Sequence, residues 1–223
     1  MLHDLHALTN PYSQRLKQAS QSRHQALEKA FHNPLVALTS LMGPINDGPE
    51  WPSDAGWLAL GSEDSVRIIS DGLSDPWVEK DRPPTGFGLE VYVKSEQLSQ
   101  VDPGSLSDTW MFPMVAEISH TLAAYPRLGE KLCRGEPLSM QLNIDHLKDG
   151  VGLRGVLLHA PQNDIAEISN DFGNIQLIGT TLLTPTEYRW LSGKGLEGRS
   201  QLKESLIQAG IDGIVITERA SVI

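Results

Sequence analysis

Asp75, Glu90, His120 and His159 are the side chains whose types suit acid–base chemistry. General acid–base catalysis needs such groups within hydrogen-bond reach of one reacting atom. Their places in the sequence differ: Asp75 in a turn, Glu90 within a strand, His120 within a helix, His159 near a strand end. As an enzyme, the chain would act on a small molecule with Glu90, Asp75 and one of these histidines as acid and base. Ser74 stands in a loop without a neighbouring base and without a G-x-S-x-G elbow, so it is read as bracing its turn. Cys133 lies near Lys131 and Arg134, which would favour its thiolate, but a lone cysteine after a helix reads as inert. Gly193-Lys-Gly-Leu-Glu-Gly198 fits G-x-G-x-x-G. That fingerprint binds a dinucleotide only where it follows a strand, and here a short helix over 187–191 precedes it. It is read as a connection between helices, and no cofactor is expected. No H-E-x-x-H or C-x-x-C is present, so no metal site is expected either.

The elements that must position these groups follow from local pattern. Asn10-Pro11 supplies an N-cap and a first helical residue, and an amphipathic helix over about 12–31 follows, with Arg15, Lys17, Arg23 and Lys29 on its polar side. Residues 43–56 read as a loop, anchored by Trp51 and Trp57. Val66–Ile69 reads as a short strand broken by Asp71-Gly72 and Asp75-Pro76. Phe87, Leu89, Val91 and Val93 alternate with Gly88, Glu90 and Tyr92, the signature of a strand with one buried face. Glu90 then lies on the other face. It is either solvated there or accepts backbone N–H bonds from the Asp71–Asp75 turn. The glycines Gly86 and Gly88 before it would let another backbone approach.

Met111, Met114, Val115, Ile118 and Leu122 line one side of a helix over about 109–125. Residues 138–144 and 151–159 read as strands joined by a hairpin at Asp149-Gly150. A third long strand covers 172–183. Thr184-Pro-Thr-Glu187 offers a capping box. A helix lined by Leu202, Leu206 and Ala209 ends at Gly210, and Ile211–Thr217 reads as a closing strand. Strands and helices arrive in blocks, which predicts an α+β fold with a mixed, mostly antiparallel sheet and packed helices. One domain is expected, in which an N-terminal helical extension and loop over 1–56 form one compact unit with the main part over 57–223.

Composition excludes several functions. The 223 residues carry a formal charge of −10. An acidic chain cannot release counterions from a polyanion, so nucleic acid is not an expected partner, whereas a basic protein is permitted. One cysteine forbids an internal disulfide and fits a reducing compartment. The first residues lack a basic start followed by an apolar run, and no apolar stretch reaches membrane-spanning length. A soluble, cytoplasmic protein is expected.

The segments Gly72-Leu-Ser-Asp75 and Gly86-Phe-Gly-Leu-Glu90 resemble the core of the suppressor-of-fused domain. The likeness continues through Thr109-Trp110, Pro113, Asp171-Phe-Gly173, Leu183-Thr-Pro-Thr-Glu187 and Gly213-Ile-Val-Ile-Thr217, and covers roughly residues 57–220. The resemblance implies a non-enzymatic protein-binding domain. In animals such proteins bind and restrain a transcription factor, clamping an extended peptide between two domains. This chain resembles the N-terminal of those domains. Single-domain bacterial relatives include immunity proteins that neutralise toxins of polymorphic toxin systems. In the animal relatives the loop between the two motifs carries an aromatic and an acidic residue that contact the partner. Trp77 matches the aromatic position, and Asp81 or Arg82 falls at the acidic one. Asp75, Trp77, Asp81 and Arg82 are therefore the expected partner-binding residues, with Gly72, Gly86, Gly88 and Glu90 as the structural motif beneath them. On this reading Trp77→Ala weakens partner binding and leaves the melting temperature nearly unchanged.

Overall fold

The computed structural model describes residues 10–38, 49–144 and 154–223. The Asp149-Gly150 turn, part of the 43–56 loop and the N-terminal residues discussed above lie outside them.

Helix α1 (Pro11–Phe31) starts where Asn10 accepts a bond from the Tyr12 N–H and Pro11 presets the first turn. Strands β1 (Val36–Leu38), β2 (Gly56–Gly61), β3 (Val66–Asp71) and β4 (Leu89–Ser95) follow as an antiparallel run. A 3₁₀ turn (Pro103–Asp108), α2 (Met111–Ala124) and α3 (Pro126–Cys133) come next. The chain then returns through β5 (Leu138–Leu142), β6 (Arg154–His159), β7 (Glu167–Asn170) and β8 (Gly173–Leu182), and closes with α4 (Pro185–Leu191) and α5 (Gly195–Gln208).

The eight strands form one sheet in the order β1-β2-β3-β4-β8-β6-β5, with β7 also pairing β8. Every pairing is antiparallel except β4 with β8. The fold is α+β, with a mixed, mostly antiparallel sheet. β5 and β6 pair antiparallel, as a hairpin requires.

Both faces of the sheet are covered. Val91, Val93, Ile68 and Val156 pack beneath the apolar stripe of α2, Met114, Val115 and Ile118. On the opposite face Leu58, Ile69, Tyr92 and Leu177 meet Leu27 of α1, and Leu157 meets Leu202 and Leu206 of α5. The expectation that β4 has a single buried face is therefore corrected. Leu89 through Val93 are buried without interruption, because α1 lies on the side where solvent was expected.

The C-terminal segment is also corrected. Ile211–Thr217 forms no strand. Gly213 takes a left-handed φ of 66°, and the segment makes one backbone bond to the sheet, from Val215 N to Lys94 O at 2.9 Å. The capping box at Thr184 and Glu187 is formed in both directions, and Glu187 also holds Arg219. α5 begins at Gly195, so the connection after α4 is shorter than the glycine pattern implied, and a helix, not a strand, leads into it.

Candidate functional site

The turn after β3 and the start of β4 come together under α1, and the residue that joins them is Arg23. Its guanidinium is 1% exposed. Nη2 and Nε reach Asp71 Oδ1 at 2.5 and 2.9 Å. Nη1 donates to Asp75 Oδ1 and stands 3.4 Å from Ser74 Oγ. Nε lies 3.8 Å from Glu90 Oε1. An arginine can do this because its planar fork carries five donors with fixed directions. Burial opposes its charge, but Asp71, Glu90 and Asp75 outweigh that and raise its pKa further.

Glu90 is fully buried on the face that α1 covers. Its Oε1 accepts from Gly72 N (3.2 Å), Ser74 N (2.9 Å) and Ser74 Oγ (2.6 Å). Its Oε2 accepts from Ser70 Oγ (2.5 Å), and Ser70 Oγ in turn accepts from Val91 N (2.9 Å). The carboxylate thus replaces a missing strand as acceptor for the turn. Burial pushes its pKa up to about 7, against the opposing pull of Arg23, Ser70 and Ser74. Burial works the same way on Asp71, but there the His24 hydrogen bond and the Arg23 charge prevail and hold the carboxyl below its ordinary range. His24 Nε2 lies 2.9 Å from Asp71 Oδ2.

The glycines of the motif shape this turn. Gly86 has φ 52°, and a Cβ there would collide with the carbonyl oxygens of Asp75 and Leu73. Gly72 has φ 138°, with Asp54 O 2.8 Å from the position of a Cβ. Both positions need glycine for conformation and for space. Gly88 takes φ 72° just before β4. Phe87 N donates to Leu73 O at 2.8 Å, which ties the two ends of the intervening loop together.

The four expected partner-binding residues divide into two layers. Asp75 and Trp77 are 4% and 5% exposed. Asp75 is held by Arg23 and by Ser53 Oγ at 2.5 Å. Trp77 meets Phe87 edge-to-face, and the Arg82 guanidinium covers its ring, with Cζ 3.4 Å from the centroid. Arg15 Nη2 also donates to Trp77 O at 2.6 Å. The picture of Trp77 as an exposed contact is corrected: Phe87 and Arg82 enclose it, and it forms the base of the loop. Residues 78–84, including Asp81 and Arg82, are exposed in an unbroken run above it, and Val78 is 61% exposed.

The acid–base candidates are not assembled. Glu90 and Asp75 both contact Arg23, whereas His120, on α2, accepts at Nδ1 from Trp51 Nε1 (3.3 Å) and packs its ring against Trp51 and Trp57. His159 sits on β6 beside Ala160 and Asp212. Burial lowers the pKa of both histidines. Burial raises that of Cys133, whose thiol donates toward Phe87 O at 3.7 Å, so the flanking Lys131 and Arg134 do not activate it. A cavity of about 310 Å³ is lined by Arg154, Leu182, Thr184, Ile216, Thr217 and Arg219, and none of the four candidates faces it. Among the described residues no group of three or more His, Cys, Asp or Glu side chains is placed to hold a metal, and no helix is long and apolar enough to cross a membrane.

Arg23 is the site residue that sequence reasoning missed. It reads as one of several basic residues on the polar side of α1. The available signal was on the other side of the contact: a short turn with Asp71 and Asp75, next to a mid-strand Glu90, needs a cation if it is to be buried.

No family model matches the chain, and no curated protein matches it. Solved structures do. The chain is similar to the crystal structure of Drosophila Suppressor of Fused, with a TM-score of 0.59 and 16% identity over 92% of this chain and 51% of that one. It is also similar to the Sufu–Fu complex crystal structure, with a TM-score of 0.57 and 16% identity over 92% of each chain. The chain therefore has a Suppressor-of-Fused-like fold and spans about half the length of the Drosophila protein's chain.

Proposed function

We propose that this chain is a non-enzymatic protein-binding domain whose partner face is the exposed loop 78–84, with Val78, Asp81 and Arg82 in contact and Asp75 and Trp77 bracing them from below. The observation that carries this reading is the loop's mounting. An exposed run with an open valine rises from a buried base fixed by Arg23, Glu90 and the Arg82–Trp77 stack. A rigid base reduces the ordering cost of binding, and an apolar side chain among charges suits an interface centre. The fold likeness supports the same reading, because one of the similar structures is a complex of Sufu with Fu.

The formal charge of −10 favours a basic partner. The finer proposal is an immunity protein that acts in the cytoplasm and neutralises a basic toxin. The acid–base reading gains no support, since Glu90 and Asp75 are committed to Arg23 and to the turn. The test is capture of a partner from cells by wild-type protein and by Val78→Glu and Asp81→Lys variants. Both variants should lose the partner and keep the wild-type melting temperature. Retention by both would place the interface elsewhere.

A further inference from the structure

His120 of α2 holds the segment that leads into β2. Its Nδ1 accepts from Trp51 Nε1 at 3.3 Å, and its ring meets those of Trp51 and Trp57 edge-on, with centroids 5.6 Å away in both cases. An indole N–H only donates, so this bond needs a bare Nδ1 and fixes the neutral ring with its proton on Nε2. Protonating the ring puts a second donor at Nδ1, opposite the N–H of Trp51. Neither indole has an acceptor to offer that proton, and the rim that Trp51 presents is the positive edge of its ring. Trp57 Nε1 is itself engaged, with Ser119 Oγ at 3.3 Å.

Trp51 is buried, and its segment grips the Asp71–Asp75 turn. Trp51 Cε3 and Asp54 O lie 3.3 and 2.8 Å from where a Cβ on Gly72 would be, and Ser53 Oγ donates to Asp75 Oδ2 at 2.5 Å. Pro52 O accepts from Tyr12 Oη of α1 at 2.7 Å. Residues 51–54 thus join α2 to the turn and to α1, and the His120–Trp51 bond is their tie to α2.

We propose that His120 and Trp51 form a pH-sensitive latch: the neutral ring holds residues 51–54 against the Asp71–Asp75 turn, and protonation of the ring releases them. Burial lowers the pKa of His120, and the acids on the neighbouring elements do not offset it. Glu117, one turn earlier on α2, accepts from Asn143 N, Glu50 and Asp54 lie on the segment of Trp51, and Asp71 and Asp75 are bonded to Arg23. The closed latch therefore has a histidine pKa below the ordinary 6.5, so it is favoured above that pH and weakens as pH falls below it. The turn carries the loop proposed to bind a partner, so pH would also govern that loop. This consequence rests on that reading, whereas the latch does not.

The test is an NMR titration of the whole chain from about pH 8 to about pH 5. The Trp51 indole N–H should move with the same midpoint as the His120 ring, and that midpoint should lie below 6.5. The amide of Gly72, corrected for intrinsic pH dependence, should lose about tenfold of its exchange protection over this range. His120→Asn keeps an acceptor near the place of Nδ1 and does not titrate. Its Trp51 N–H should stay bonded throughout, and its Gly72 should lose less protection than in wild type. Glu90, the acceptor of the Gly72 amide, titrates in both proteins, so the difference between them isolates the histidine. A Trp51 N–H that ignores the ring titration, or an equal loss at Gly72 in wild type and His120→Asn, would overturn the proposal.

Discussion

Arg23 Nε and Glu90 Oε1 stand 3.8 Å apart, although one belongs to the first helix and the other to the centre of the sheet. Between them lies the Asp71–Asp75 turn, whose acids bond to the arginine and whose N–H groups bond to the glutamate. The loop above depends on this arrangement, and each part of it can be removed separately.

Arg23→Leu strands Asp75 and Glu90 as buried acids without a cation and leaves the half-buried Asp71 with His24 alone. The expected loss is about 3–5 kcal/mol in a denaturant titration. Arg23→Lys keeps the charge but loses the fork, and should fall between wild type and Arg23→Leu.

Glu90→Ala leaves the Gly72 and Ser74 N–H groups and two serine hydroxyls without their acceptor. It should cost at least about 1–3 kcal/mol. Glu90→Gln keeps an acceptor for the turn and should cost less than about 1 kcal/mol. Equal and negligible losses would mean that the carboxylate does not support the turn.

The same pair of proteins gives a pH test. The folded-state pKa of Glu90, about 7, lies above its ordinary value of 4.5. In that window the folded protein binds the extra proton, so the contribution from Glu90 is present below pH 4.5 and is lost as pH rises to about 7, by a few kcal/mol at most. His120 and His159, with lowered pKa values, act in the opposite sense as pH falls below 6.5. The readout is therefore the difference between wild type and Glu90→Gln, which should shift in favour of the glutamine variant between pH 4.5 and 7. A difference that does not change over that window would contradict the raised pKa. Asp71, held low, contributes separately, and its stabilisation is lost as pH falls below its ordinary value of 3.8.

Gly86→Ala combines a left-handed backbone with a collision against two carbonyls. It should destabilise by more than about 3 kcal/mol or prevent folding. Trp77→Ala opens a cavity under Arg82 and should cost about 3–5 kcal/mol, in contrast to the near-neutral effect expected of an exposed tryptophan. Thermal melts of the two variants check both expectations.

The sequence foretold what local pattern determines. Asn10-Pro11 opens α1, the Thr184–Glu187 box opens α4, and the blocks of strands and helices indicate α+β. Pattern failed where long-range contacts decide. Gly56–Gly61 has no alternation because both of its faces are covered, and beyond Trp57 as an anchor of the 43–56 loop the sequence offers no reading of it. Ile214-Val-Ile216 is apolar enough for a strand, but Gly213 turns the chain and only Val215 reaches β4. Trp77 lies in a proline-stiffened loop, and nothing local signals that Arg82 folds back over its ring. Arg23 looks like any charge on a helix surface until the acids opposite it are known.

The most direct test of the partner face is site-specific photo-crosslinking in the cell of origin. The crosslinking residue is placed at 78, at 81, and at Gln208, an exposed position at the end of α5. The account predicts discrete protein adducts from positions 78 and 81 and none from 208. Adducts from 208 alone, or equal adducts from all three, would contradict it.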